Sequence, residues 1–101
     1  MTKMTFLARM KVHADREQDF LRLVAALTEK VREHEPETLA YEFFRLEGPL
    51  HYAVYEQFSN AEAEEKHRNM PYFSDLAGPM VECLDGGYHR EYLLPLDGGD
   101  Q

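Results

Sequence analysis

The chain has 101 residues, of which 44% are hydrophobic and 30% charged, and its net charge is −8. This length suits one domain, residues 1–101, and an acidic chain without a basic block is unlike nucleic-acid or anionic-membrane binders. Cys83 is the one cysteine, so there is neither a disulfide framework nor a cysteine-based zinc site. No apolar run approaches the roughly 20 residues that cross a bilayer, and the signal-peptide pattern is missing. We therefore expect a cytoplasmic protein.

The first third of the chain predicts a strand followed by a helix. Residues 4–13 alternate between apolar side chains and others, as strands do. Asp15 and Gln18 have the spacing of a capping box at a helix start. Apolar residues then recur every three or four positions from Phe20 to Val31, so we predict an amphipathic helix that ends before Pro36.

Two aromatic-rich stretches, 38–46 and 52–58, are typical of strands, and turn residues 47–50 join them into a hairpin. A four-residue loop would place Tyr41 opposite Glu56 and Phe43 opposite Val54. A three-residue loop would instead bring Glu42 and Phe44 to the face that carries Glu56.

The second half predicts a helix in pieces and a last strand. Ser59 and Glu62 have capping-box spacing, and a helix follows on which Ala63 and His67 share one face while the glutamates stay in water. We expect a second helical piece from Pro71, a break at residues 78–79, and a strand over 88–94. The polar tail, 95–101, is expected to be flexible.

The order of these elements, β-α-β-β-α-β, indicates an α+β fold of the ferredoxin-like type, with an antiparallel sheet covered by helices on one face. Leu7, Tyr55 and Phe44 would lie on the other face, which still needs cover. A second copy of the chain is the expected cover, which predicts a homodimer.

Two sequence runs resemble the antibiotic biosynthesis monooxygenase (ABM) family. The first is Glu35-Pro36-x-Thr38-Leu39-x-Tyr41. The second comprises Tyr55-Glu56-x-Phe58, then Ala63, His67 and Pro71-Tyr72-Phe73. The resemblance implies a dimeric α+β barrel with a pocket between sheet and helices in each subunit. It also implies one of several chemistries, because members include cofactor-free monooxygenases, haem-degrading enzymes and a sugar-phosphate isomerase.

The chain departs from the family pattern at two places. Glu37 stands where the family usually has glycine, and tryptophan is lacking, with Phe58 where haem-degrading members carry one. Ala77 aligns with the haem-ligating histidine of those members. We therefore expect no cofactor, and the spacing of the other histidines predicts no metal site.

His67 and Glu56 are the predicted catalytic residues. A neutral imidazole can take a proton from a phenol or enol near pH 7, and a carboxylate can orient it. Cofactor-free oxygenation needs such a step, since the substrate anion gives an electron to dioxygen readily. The alternative is structural, with His67 capping backbone carbonyls and Glu56 holding a backbone N–H.

Aromatic and sulfur-containing side chains form the predicted substrate-binding set, which could line a pocket for a flat ring or could equally be core or dimer interface. Its members are Tyr41, Phe43, Tyr52, Phe58, Met70, Tyr72 and Phe73. Arg9 and Arg45 are candidates for an anionic substrate group.

Three functions follow from these residues. The first is a cofactor-independent monooxygenase acting on a small aromatic, quinol or polyketide-like substrate. The second is an isomerase or lyase that acts on a small keto compound, either phosphorylated or unphosphorylated. The third is a non-catalytic dimeric protein that binds a small molecule. A cavity below several hundred Å³ would support this third function.

Overall fold

The computed structural model describes residues 2–96, which form one four-stranded antiparallel sheet with three α-helices. The strands are β1 (Met4–Lys11), β2 (Thr38–Arg45), β3 (His51–Phe58) and β4 (His89–Tyr92). The helices are α1 (Glu17–His34), α2 (Ala61–Arg68) and α3 (Pro71–Glu82). The spatial strand order is β2-β3-β1-β4, the arrangement of a ferredoxin-like sheet, so the predicted fold class is confirmed.

Of the two hairpin registers that the sequence leaves open, the one with the four-residue loop 47–50 is observed. Tyr41 lies opposite Glu56, and Phe43 lies opposite Val54. Leu50, the last residue of the turn, has φ 65, and its carbonyl accepts a hydrogen bond from the Val12 backbone N–H at 2.9 Å. The loop therefore has the longer of the two predicted lengths, and a bulge beside Thr38 marks the start of the pairing.

The sheet buries one face against the helices and leaves the other open. Phe6, Ala8 and Met10 of β1 are buried beneath Phe20, Leu27 and Val31 of α1. Because strand residues alternate between faces, Leu7 and its partner Tyr55 point the other way, and Phe44 there is 45% exposed. These three residues lie on the uncovered face, as expected.

Both predicted capping boxes are wrong. Asp15 lies in a short 3-10 turn, Ala14–Arg16, and α1 starts after Arg16 with no side-chain cap. At α2 the cap is Asn60, whose Oδ1 accepts a hydrogen bond from the Ala63 N–H at 2.8 Å. Ser59 instead donates its hydroxyl to the Glu37 carbonyl, so it ties two loops together rather than starting a helix.

The predicted break at residues 78–79 is also wrong, because α3 runs through Pro79 without interruption. A proline inside a helix loses one backbone hydrogen bond. Met80 and Cys83, which follow Pro79, are buried in the core, and their burial requires the chain to continue as a helix. Apolar burial outweighs the lost bond here.

The ends of the strands differ slightly from prediction. β1 stops at Lys11, after which Val12 forms an isolated bridge to Leu84, and β4 is limited to four residues. Pro95 and Leu96 follow β4 outside any strand, whereas residues 97–101 of the predicted tail lie outside the described part of the chain. Within residues 2–96, no helix is long and apolar enough to cross a membrane.

Candidate active site

His67 lies buried at the centre of a cluster of aromatic rings between α2, α3 and the sheet. Its side chain is 3% exposed. The ring centroid of Phe73 is 4.9 Å away, edge-on, and those of Tyr41 and Phe58 are each at 5.3 Å. Asn60 caps α2 and sets its start, which turns Ala63 and His67 inward on one face. An imidazole is thereby fixed in an apolar setting.

Glu35 holds one nitrogen of this imidazole. It follows the last turn of α1, and its side chain is 6% exposed. Its Oε1 lies 2.8 Å from His67 Nδ1 and accepts a hydrogen bond from Thr38 Oγ1 at 2.7 Å, while Oε2 accepts one from the Tyr72 hydroxyl. An ionised carboxylate satisfies all three donors at once. His67 Nδ1 therefore carries the hydrogen, and a neutral His67 has a free lone pair on Nε2.

Glu56 faces that second nitrogen. Its Oε1 lies 3.8 Å from His67 Nε2, beyond direct hydrogen-bond distance. Burial raises the pKa of Glu56 to about 8; Arg90 opposes the rise, and Glu64 and Glu35 add to it. Glu56 is therefore mostly protonated and uncharged near pH 7. The orienting carboxylate of His67 is Glu35, whereas the sequence pointed to Glu56.

A cavity of about 180 Å³, here named the main cavity, opens beside His67 and Glu56. Tyr41, Phe43 and Phe73 supply aromatic wall, and the half-exposed Val81 and Tyr88 line the end that reaches the surface. Burial, with the nearby Glu56 and Glu35, raises the pKa of the Tyr41 hydroxyl, so Tyr41 stays un-ionised. The lining is mostly apolar, with a base and an uncharged acid at one side.

The other predicted substrate-binding residues do not line the main cavity. Tyr52 donates its hydroxyl to Glu17 Oε2 at 2.5 Å, and Phe58 is fully buried against Phe6 and His67. Tyr72 orients Glu35, and burial, together with this contact, raises the pKa of the Tyr72 hydroxyl. Met70 lines a second cavity, also of about 180 Å³, here named the side cavity. His67 is common to the linings of both cavities.

Three charged residues at the main cavity were missed by sequence reasoning. Glu64 was expected in water, yet its side chain is 5% exposed and accepts a hydrogen bond from Arg68 Nε at 2.8 Å. Arg90 Nη1 lies 3.9 Å from the same carboxylate, and its guanidinium covers the Phe6 ring at 4.0 Å. Glu64 and His67 are three apart on α2, which was the available signal that they share a face.

Arg9 and Arg45, the candidate anion-binding residues, lie elsewhere. Arg9 pairs with Glu91 at 2.9 Å on the open face of the sheet. Arg45 pairs loosely with Glu17 and lies 5.2 Å from the Tyr52 ring centre. Neither is among the residues that line the main cavity.

The residues present do not fit haem. Ala77, which aligns with a haem-ligating histidine, does line the main cavity, but its methyl group has no atom that could bind iron. Across residues 2–96, no group of three or more His, Cys, Asp or Glu side chains is arranged to hold a metal ion.

The fold and the site together define a ferredoxin-like α+β domain with a buried histidine between two carboxyl groups at a small cavity. A family model for antibiotic biosynthesis monooxygenase matches residues 4–78. The protein therefore belongs to the antibiotic biosynthesis monooxygenase family. A comparison with curated proteins gives no significant match.

Solved structures share the fold over most of the chain. A Caulobacter crescentus protein, provisionally assigned as an antibiotic biosynthesis monooxygenase, is 26% identical with a TM-score of 0.86, covering 91% of this chain and 88% of its own. A conserved protein from Methanosarcina mazei is 21% identical with a TM-score of 0.83, covering 92% of each chain. Rv0793 from Mycobacterium tuberculosis is 19% identical with a TM-score of 0.85, covering 98% of this chain and 100% of its own. At such identities the last two likenesses concern the fold alone.

Proposed function

We propose that this protein is a cofactor-independent monooxygenase that oxidises a small phenol, quinol or polyketide-like ring compound with dioxygen. The observation that supports it best is the geometry of His67. One ring nitrogen is held by Glu35 at 2.8 Å, and the other, Nε2, lies 3.8 Å from Oε1 of Glu56, which lines the main cavity together with His67. A buried, oriented and neutral imidazole is the side chain best suited to take a proton near pH 7.

In the proposed reaction, His67 Nε2 takes the hydroxyl proton of a phenol. The resulting phenolate gives one electron to dioxygen, which produces a phenoxyl radical and superoxide. These two radicals combine, and the new carbon–oxygen bond gives a ring-bound peroxide. His67 gives the first proton to the peroxide and then takes the ring C–H proton as the O–O bond breaks and a C=O bond forms. The departing hydroxide takes this second proton back from His67 and leaves as water. One phenol and one dioxygen thus give one quinone and one water, so atoms and electrons balance.

Tyr41, Phe43 and Phe73 are the proposed substrate-binding residues, because they line the main cavity beside His67. The other residues support the site indirectly. Phe58 packs against the imidazole, Tyr72 donates a hydrogen bond to Glu35, and Met70 lines the side cavity. The volume of about 180 Å³ suits a substrate of one or two small rings, since sites for drug-sized ligands reach roughly 300–1,000 Å³.

The same volume favours a second candidate, a non-catalytic dimeric protein that binds a small molecule. A cavity below the usual range was the expected sign of that role. The phosphorylated version of the isomerase or lyase alternative loses Arg9 and Arg45 as its anion-binding residues, because they do not line the main cavity, whereas Arg68 and Arg90 do. An unphosphorylated keto compound makes no demand on those residues.

Oxygen uptake distinguishes these candidates. With chelator-treated protein and single-ring quinols as probes, we expect uptake above the protein-free rate, with about one dioxygen consumed per quinol. His67→Ala should lower the protein-dependent rate roughly 10²–10⁴-fold, the usual contribution of a general base. His13→Ala, which removes an exposed imidazole, is the matched control and should behave as wild type. Equal rates in the His67 and His13 variants would refute the oxygenase proposal.

We further propose that two chains pack through their open sheet faces, as is typical of the family, and that the chain acts as one domain. Leu7, Tyr55 and Phe44 form an apolar strip on that face. An exposed strip of this kind marks an interaction surface.

The free, buried Cys83 suits the reducing cytoplasm, which we propose as the location.

Light scattering after size exclusion should give about twice the chain mass of 11.8 kDa for wild type. Phe44→Asp places a charge in the strip and should shift the protein to monomer at micromolar concentration. Ala25→Asp adds the same charge on the exposed surface of α1 and should remain dimeric. A monomeric wild type would rule out the barrel arrangement.

A further inference from the structure

The main cavity brings a base and an uncharged acid to the same place. In its neutral form His67 has a free lone pair on Nε2, because Glu35 accepts the hydrogen of Nδ1. Glu56 Oε1 lies 3.8 Å from that nitrogen, and both side chains are buried and line the cavity. The gap is too long for a direct hydrogen bond but leaves both groups close to one substrate edge.

We propose that Glu56 is the acid partner of the His67 base, and that this pair enolises small cyclic ketones in the main cavity without dioxygen. This activity shares His67 with the proposed oxygenation but needs no oxidant, so the two proposals can fail separately. It also assigns Glu56 a role other than orienting the imidazole.

The surroundings keep a proton on Glu56 near neutral pH. Burial is the main cause of its raised pKa, and Arg90, the cation that opposes it, is also 3.9 Å from the Glu64 carboxylate. Titratable and charged groups face Glu56 from the residue after α1 and from β2, α2 and β4: Glu35, Tyr41, Glu64, His67 and Arg90. Of these, the Glu64 and Glu35 carboxylates favour the neutral form of Glu56. Phe6, its partner on β1, is apolar.

The enolisation is a pair of proton transfers. His67 Nε2 takes a proton from the carbon next to a carbonyl, the C–H electrons form the C=C bond, and the carbonyl oxygen takes the proton of Glu56. The products are an enol, an imidazolium and a carboxylate. In the reverse direction Glu56 regains its proton, and His67 returns a solvent-derived proton to carbon. No electron leaves the substrate, so no co-reactant is needed.

The reacting atoms of a ketone fit this arrangement. The carbonyl oxygen and the carbon that loses its proton are two bonds apart, so one planar edge can meet both Glu56 and His67. Phe73 and Tyr41, which surround the imidazole, can stack against the ring of such a substrate. The cavity of about 180 Å³ matches a ligand of one or two small rings.

Deuterium exchange under nitrogen tests the proposal. We would follow loss of the α-proton NMR signal of 2-indanone in D₂O, with wild type, His67→Ala, Glu56→Gln and Glu29→Gln. Wild type and Glu29→Gln, which changes an exposed carboxylate on α1, should accelerate exchange equally. His67→Ala should reduce the protein-dependent rate at least 100-fold. Glu56→Gln should reduce it about 10–100-fold, because an amide donates a hydrogen bond but releases no proton.

The pH profile separates an acid from a structural residue. The wild-type exchange rate should fall above about pH 8, where Glu56 loses its proton, and this fall should be missing from the residual rate of Glu56→Gln. Equal rates in Glu56→Gln and wild type, or the same alkaline fall in both, would overturn the proposal. Oxygen uptake without anaerobic deuterium exchange would refute the enolisation proposal and leave the oxygenase proposal intact. Deuterium exchange without oxygen uptake would refute the oxygenase proposal and leave the enolisation proposal intact.

Discussion

Glu35→Ala is expected to lower the free energy of unfolding by about 3–5 kcal/mol, the range for removing one partner of a buried charged network. Three donors lose their acceptor in this variant: His67 Nδ1, Thr38 Oγ1 and the Tyr72 hydroxyl. His67 is 3% exposed and Thr38 and Tyr72 are partly buried, so water replaces the lost acceptor incompletely. We expect any protein-dependent oxygen uptake to fall roughly 10²–10⁴-fold as well, since an unheld imidazole can adopt the wrong tautomer.

Urea denaturation of Glu35→Ala, Glu35→Gln and Glu33→Ala measures this effect. Glu33→Ala removes an exposed carboxylate two residues earlier and should stay within about 0.5 kcal/mol of wild type. Glu35→Gln should fall between the other two, because its amide oxygen still accepts hydrogen bonds while its NH₂ group faces a donor. A loss below about 1 kcal/mol in Glu35→Ala would mean that the network contributes no more than one ordinary hydrogen bond.

Glu56→Gln should make the protein more stable at alkaline pH. The pKa of Glu56 is raised from 4.5 to about 8 in the folded chain. Between these values the unfolded chain releases the proton and the folded chain keeps it, so the folded state binds more protons and stability falls as pH rises. Glutamine has no such proton, and the advantage of the variant should grow by about 3–5 kcal/mol from pH 4 to pH 8.

The difference in unfolding free energy between Glu56→Gln and wild type, followed by urea denaturation at several pH values, isolates this group. Other titrating residues are present in both proteins and largely cancel in the difference. Glu29→Gln, on the surface of α1, should show a difference that does not change with pH. A flat difference for Glu56→Gln as well would mean that Glu56 ionises in the folded protein as it does in the unfolded chain.

Features that depend on one hairpin or one helix could be read from the sequence. The pairing of Tyr41 with Glu56 was one of two registers that the two-residue period of strands allowed, and the loop length decided between them. The inward face of α2 followed from the four-residue spacing of Ala63 and His67. Both features depend only on local backbone geometry, which the spacing of residue types along the chain indicates directly.

Features that depend on long-range contacts were not predictable. Glu35 meets His67 across 32 residues, and no local rule links the end of one helix to the face of another. Glu64 is buried because Arg68 and Arg90 neutralise it, and Arg90 comes from the last strand. The helical path through Pro79 likewise depends on a core that only the whole chain builds. Burial of a charge is decided by its partners, not by its residue type.

The left-handed backbone of Leu50 has a consequence for the order of folding. A side chain in that region costs roughly 1–2 kcal/mol, and here the hydrogen bond from Val12 and the pairing of β1 with β3 offset it. Docking of the N-terminal strand therefore stabilises the native form of the β2–β3 hairpin. Because Glu56 on β3 lies opposite Phe6 on β1, the acid side of the site is completed in the long-range step that pairs these two strands. A chain stalled before that step has a helix carrying His67 but no cavity for it to face.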